Sequence, residues 1–298
     1  MCRSTTQSCL DSTTDLSREG TGPPDDDAGT LYVVATPIGN LDDITLRALK
    51  VLKRVDRILC EDTRVTRTLM DHFGLRTPLL RHDAHTEAAS SAGAVQLLEA
   101  GETLAIVSDA GTPGVSDPGH RLVRAVLAAG LRVVPIPGAS ALTTLICIAG
   151  LEGTAFAFHG FVEKKTVARA KQFAALQPGA HVFYLPARDL VEVTQVLATV
   201  ATVTQMVIGR ELTKAYERCY RGSADEVLAA LDADAHAGRG EAVMVITVRQ
   251  TQVTDETLVQ SVADLVAQGE SRKGAVAAVA ERFEVPRKRV YRLALGRQ

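Results

Sequence analysis

The residues best suited to chemistry crowd one stretch, SDAGTPGVSDPG at 108–119, where three glycines, two prolines and two aspartates follow the apolar run TLAIV. A plain turn takes about two to five residues. A longer loop of this make-up lets main chain approach a ligand, because glycine removes the side chain and proline holds the path. Two companion turns, TPIGN at 36–40 and PGAS at 137–140, also close apolar runs. Charged turns stand at similar places. In EDTR, Glu61 and Asp62 with Arg64 could hydrogen-bond ribose hydroxyls or position a phosphate, or Asp62 could cap the next helix. In RELTK, at 210–214, Lys214 ends a turn that is either solvated or a substrate clamp. Asp117, ahead of Pro118, is expected to cap the helix that follows.

The missing signatures narrow the ligand. There is no GxxxxGK[ST] to cradle phosphates and no GxGxxG after the first strand. GASAL around Ser140 lacks the second glycine of a nucleophile elbow. His82, His85 and Glu87 in RHDAHTE lack HExxH spacing, which favours loop or substrate contacts over a metal.

The elements that must carry these loops alternate. LYVVA, RILC, TLAIV and LRVVP read as strands; helical spacing fills 63–73, 87–99 and 119–129, and a helix capped by Asp42 or Asp43 buries Ala48, Val51 and Leu52. This rhythm predicts an α/β fold with a parallel open sheet at 30–150, whose strand ends would gather the three loops into one crevice. FAFHGF, HVFYLP, QMVIG, ERCYRG and EAVMVITV predict a mixed sheet at 151–250, with helices at 167–176, 190–200 and 224–231. Three helical patterns occupy 254–268, 272–283 and 286–296, and 270–298 holds eight Arg or Lys against three Glu. That local charge of +5 suits a solvated face or a surface that neutralises phosphates.

A net charge of −2 over 298 residues argues against a nucleic-acid binder as a whole, and 46% hydrophobic content suffices for about two cores. The five cysteines show no CxxC spacing, which fits a reducing cytosol. No apolar run of about 18 residues predicts a membrane span. Residues 1–29, with six acids against two arginines and no apolar leader, are expected to be a disordered tail.

Taken together, VVATPIGNLDDITLRAL, EDTR, VSDAGTPGVSDPG, PGASA, GFVEKK, RELTK and RGEAVMVI resemble the 16S ribosomal RNA (cytidine-2′-O)-methyltransferases of the tetrapyrrole methylase superfamily. The resemblance spans about 31–248 and, more loosely, the basic end. It implies two α/β domains of the tetrapyrrole methylase type with S-adenosyl-L-methionine in the cleft between them, plus the small helical module. It further implies a cytoplasmic homodimer that methylates a cytidine ribose in the decoding region of 16S rRNA within the 30S subunit. By motif, Pro37, Ile38, Gly39, Asp109, Ala110, Gly111, Thr112, Ser140 and Ala141 would hold the cofactor, with Leu185, Leu212 and Ala242 closing over it. Glu61 or Asp62 would accept the hydroxyl proton or orient the ribose, and Arg64 and Lys214 would contact phosphate. Arg272, Lys273, Arg287, Lys288 and Arg289 would bind RNA.

A carboxylate and main-chain carbonyls suit a sulfonium cofactor, which needs no phosphate nest. Two departures stand out. Where the family runs roughly FYESPHRL, this chain has FYLPAR, so Leu185 replaces an acid and only Arg188 keeps the basic position. RHDAHTE departs from H-[DE]-H-N-E but keeps His85 and Glu87. A small-molecule methylase of the same fold and a non-catalytic ribosome assembly factor are the competing readings; TPIGN, EDTR and the basic end speak against the first, and the three cofactor loops against the second.

Overall fold

The computed structural model describes residues 27–83, 87–249, 254–283 and 285–296. The first unit alternates strand and helix: β1 (Thr30–Val34), α1 (Leu46–Arg54), β2 (Arg57–Cys60), α2 (Thr63–His72), β3 (Leu79–Arg81), α3 (Glu87–Glu99), β4 (Leu104–Val107), α4 (His120–Ala128), β5 (Arg132–Ile136) and α5 (Ala141–Ala149). Its strands run in the order β3-β2-β4-β1-β5, all parallel. Because strand side chains alternate, Leu31, Leu104 and Ile106 pack beneath Leu98, Leu122 and Val126, while Tyr32, Val34, Ala105 and Val107 meet Leu52 and Met70 on the other face. Helices thus cover both sides of β4, and all four of its residues are buried.

Two local features differ from the pattern in the sequence. Asp42 and Asp43 do not cap α1; they form a short 3-10 turn capped by Asn40, and the Thr45 side chain accepts from the Ala48 amide to start the helix. The brief edge strand β3 is an addition, being three half-exposed or exposed residues without a pattern to read. Of the expected tail, residues 1–26 lie outside the described residues. Asp27, however, is held by ion pairs to Arg54 at 2.8 Å and Arg132 at 3.6 Å.

The second unit comprises β6 (Phe156–Phe161), α6 (Thr166–Ala174), β7 (Gly179–Pro186), α7 (Leu190–Ala198), β8 (Val203–Arg210), β9 (Arg218–Gly222), α8 (Ala224–Asp232) and β10 (Glu241–Val248). It is a mixed sheet, β6-β7-β10-β8-β9, in which only β6 and β7 run parallel. One face buries Phe183, Met206, Ile208 and Met244 against Val193, Leu197, Val227 and Leu231. The other face, Val182, Val207, Val243 and Val245, receives Leu145 and Ala149 of α5. That helix therefore ties the first unit to the second sheet.

A separate small core of Leu258, Val262, Val276, Val279 and Val290 joins α9 (Asp255–Ala267), α10 (Arg272–Arg282) and α11 (Arg287–Ala294). Among the described residues, no helix is long and apolar enough to cross a membrane.

Candidate active site

The three permissive loops meet at one rim because the chain bonds them together. Thr36 and Gly111 exchange backbone hydrogen bonds of 2.8 and 3.0 Å, and the Thr36 hydroxyl donates to the Ser108 carbonyl at 3.0 Å. The Thr112 hydroxyl donates to the Ala139 carbonyl at 3.2 Å, which adds the PGAS turn. These loops and the RELTK, FYLPAR and RGEA segments of the second unit enclose a cleft of about 480 Å³. A cleft of that size falls within the usual range for small-molecule sites.

Of the cofactor residues named from sequence, Ile38, Asp109, Ala110, Gly111, Thr112, Ser140, Ala141, Leu185, Leu212 and Ala242 all line this cleft. Pro37 and Gly39 do not. Gly39 acts through packing instead. An added Cβ would fall on Lys214 Cγ and lie 3.1 Å from the Leu212 carbonyl oxygen, so the bare backbone lets TPIGN press against RELTK. Gly39→Ala is expected to push Leu212 out of the cleft and weaken cofactor binding about tenfold by calorimetry, overpacking of this kind costing about 1–3 kcal/mol. An unchanged Kd would refute that packing role.

RELTK is a clamped turn. Glu211 and Thr213 hold positive φ angles of 51° and 66°, and the Lys214 ammonium pairs with Glu211 at 2.7 Å and Glu241 at 3.7 Å. Lys214 thus lines the cleft with its charge already engaged by carboxylates. Ser116, another non-glycine residue with positive φ at 67°, also lines the cleft, and such strained backbone gathers at functional sites.

EDTR shapes a second hollow, lined by Glu61, Asp62, Thr63, Arg64, Arg81, Asp83 and Asp109. Asp109 belongs to both hollows, and its Oδ1 accepts from the Asp62 amide at 3.1 Å. Asp62 caps α2 by accepting from the Arg64 amide at 2.8 Å, and it grips the Arg64 guanidinium at 2.6 Å. Those contacts with Arg64 hold its carboxyl down to about 2, which makes it a poor proton acceptor. Burial, and then the charges of Asp109, Asp83 and Asp62, push the Glu61 carboxyl upward.

Asp117 departs from its expected role. The N-terminus of α4 has no side-chain cap of its own; the buried Glu87 accepts from the Gly119 amide at 3.3 Å and also pairs with Arg121 at 3.4 Å. Asp117 instead lines the cleft, where burial and then the Glu61 charge push its carboxyl up to about 6. Nothing in its local sequence separates a helix cap from a cleft-facing acid; the nearby Glu87, 30 positions earlier, decides it.

The histidine motif is structural where it is described. His82 is buried with its Nδ1 2.8 Å from the Ser90 hydroxyl, and Asp83 pairs with Arg81 at 2.6 Å. His85 lies outside the described residues. Among those described, no group of three or more His, Cys, Asp or Glu could hold a metal ion. In FYLPAR, Leu185 is buried in the cleft wall, while Arg188 is exposed beside it. On the basic module Arg272, Lys273, Arg287 and Lys288 are exposed, but Arg289 is engaged by Asp255 at 2.7 Å.

The cleft suits S-adenosylmethionine on its own chemistry: Asp109 and Asp117 face where a sulfonium and an ammonium gain from negative charge, and Ile38, Leu185, Leu212 and Ala242 offer apolar walls. The family model for tetrapyrrole (corrin/porphyrin) methylases matches residues 30–228. A Pseudomonas aeruginosa protein named ribosomal RNA small subunit methyltransferase I is 39% identical over 277 residues, 91% of this chain and 98% of that one. One of the same name from Neisseria meningitidis serogroup B is 44% identical over 73% of this chain and 76% of its own length. Among solved structures, diphthine synthase aligns with a TM-score of 0.56 at 15% identity, covering 74% of this chain and 90% of that one. Uroporphyrin-III C-methyltransferase from Thermus thermophilus, complexed with S-adenosyl homocysteine, aligns at 0.50 with 18% identity, covering 73% of this chain and 97% of that one. The fold is common to all of them, and the long, full-length identity reaches further: the chain belongs to the tetrapyrrole methylase family, in the group of the ribosomal RNA small subunit methyltransferases I, and is an S-adenosylmethionine-dependent methyltransferase.

Proposed function

We propose that this protein transfers the methyl group to the 2′-hydroxyl of a cytidine in the decoding region of 16S rRNA, acting on the 30S subunit as a cytoplasmic homodimer. The observation that carries the reading is the pairing of two features: a cleft that suits S-adenosylmethionine, and a cation-rich helical module that a macrocyclic substrate would not need. The names of the relatives agree with an rRNA substrate.

Bound in the cleft, the cofactor supplies an electrophilic methyl group. The chain has to place a ribose hydroxyl in line with it at about 3 Å and accept the hydroxyl proton. Asp117 serves as acceptor: its carboxyl is poised near 6 and it lines the cleft. Glu61, in the adjoining hollow, has no hydrogen-bond partner among the described residues and orients the ribose; Asp62 seats α2 and holds Arg64. Arg64 keeps an exposed guanidinium edge for a phosphate. Lys214 orders the RELTK wall through Glu211.

A transfer assay with tritiated S-adenosylmethionine on 30S subunits, followed by nuclease mapping, tests the reading. Label is expected on one cytidine ribose. Label on a base, or none, would overturn it.

A further inference from the structure

Phe161 is 58% exposed although it is a large apolar side chain at the end of a strand, and it lines the mouth of the cleft. A bulge puts it there. Along β6, Phe158 shares the sheet face of Val182 and Tyr184, whereas His159 stacks on Phe183 across the opposite face. Strict alternation would send Phe161 to the face of His159. The register with β7 breaks between Phe158 and Phe161, at Gly160, whose φ is +70°. The extra residue turns Phe161 to the cleft-facing side and returns Val162 to the core, where its amide donates to the Tyr184 carbonyl at 2.9 Å. Phe161 then rests edge-on against Tyr184, with ring centres 5.7 Å apart, and Tyr184 in turn against Phe158 at 4.9 Å. A Cβ on Gly160 would lie 3.3 Å from the Ser116 hydroxyl, so the bulge sits directly against the cofactor-side loop.

Exposed cations follow this ring in the chain or share its cleft. Lys164 and Lys165 follow it, both exposed and without an ion-pair partner among the described residues. The buried Arg169 donates to the carbonyls of Glu163 at 3.0 Å and Lys164 at 3.4 Å, which fixes the turn that presents them. Arg188, which also lines the cleft, is exposed, with only a loose contact of 3.9 Å to Asp189. A supported, solvent-facing aromatic face near exposed cations is the chemistry that holds an unpaired nucleotide, base on ring and phosphates on cations.

We propose that Phe161 is the platform on which the target nucleobase stacks while its ribose enters the cleft, with Lys164, Lys165 and Arg188 holding the flanking phosphates. The proposal rests on RNA being the substrate. Because the sequence contains no tryptophan, Phe161→Trp places a single reporter at the platform. Its fluorescence is expected to be quenched by a short cytidine-containing single-stranded RNA and not by S-adenosylmethionine alone. Phe161→Ala is expected to raise KM for 30S subunits about tenfold or more, with cofactor Kd within about twofold of wild type. An unquenched tryptophan, an unchanged KM, or a loss confined to cofactor affinity would overturn the platform while leaving the substrate reading intact. Wild-type protein that transfers nothing to 30S subunits would overturn both.

Discussion

Replacement of Asp117 by asparagine is expected to slow methyl transfer by about 10²–10⁴ while raising thermal stability at neutral pH. The two effects share one cause. Burial and the Glu61 charge push the Asp117 carboxyl up to about 6 from the ordinary 3.8, so the folded protein holds that proton more tightly than the unfolded chain does. Its favourable contribution to folding is therefore complete below about 3.8, declines as the pH rises through about 6, and is lost above. At pH 7.5 the wild-type fold keeps a carboxylate in a crowded acidic corner, and asparagine removes that burden. At pH 4 it removes little. Catalysis runs the other way, because a proton acceptor must be ionised: kcat/KM of the wild type is expected to climb with pH through about 6, and the variant should lack that limb. Melting curves at the two pH values and a pH–rate profile check both halves. Turnover at the wild-type level, or a lower Tm at pH 7.5, would remove Asp117 from the proposed role.

Changing Arg272, Lys273, Arg287 and Lys288 together to glutamine is expected to weaken binding to 30S subunits roughly a hundredfold at low salt, and to lower the salt slope of log K by about three to four. All four lie exposed in the first turns of α10 and α11, where the helix N-termini add to the attraction for phosphate. Arg289 is left in place because its guanidinium bonds Asp255 and joins α11 to α9; removing it would loosen the module itself. The module packs its own core of Leu258, Val276 and Val290, so cofactor affinity should not move. Filter binding across a salt series, beside calorimetry with S-adenosylmethionine, separates the outcomes. An unchanged slope would return these residues to the role of a solvated face.

Much of the architecture is legible in the sequence because it rests on periodic patterns. RILC, FAFHGF and EAVMVITV each form a strand with the bounds their residues suggest, and the three terminal helices fall within a residue or two of their apolar spacing. The loops that border the cleft are legible for a different reason: glycine and proline at strand ends mark where backbone must come close to something. Pattern fails where a choice depends on a distant neighbour. Asp42, Asp43 and Asp117 each have the local look of a helix cap, yet Thr45 starts α1 and Glu87 serves α4. Lys214 has the look of a solvated cation or a substrate clamp, yet the turn brings Glu211 to it.

Residue type and short-range spacing were thus enough to set the alternation of strands and helices, apart from β3, and the loops that border the cleft, while the quoted motifs carried the resemblance to the family. Three outcomes came from tertiary packing alone: α5 packs on the second sheet, Asp117 faces the cleft with a raised proton affinity, and the bulge at Gly160 turns Phe161 to the cleft mouth. They depend on burial, on charges brought together from separate segments, and on strand register. Each is a property of groups far apart in the chain, so no local stretch encodes it alone.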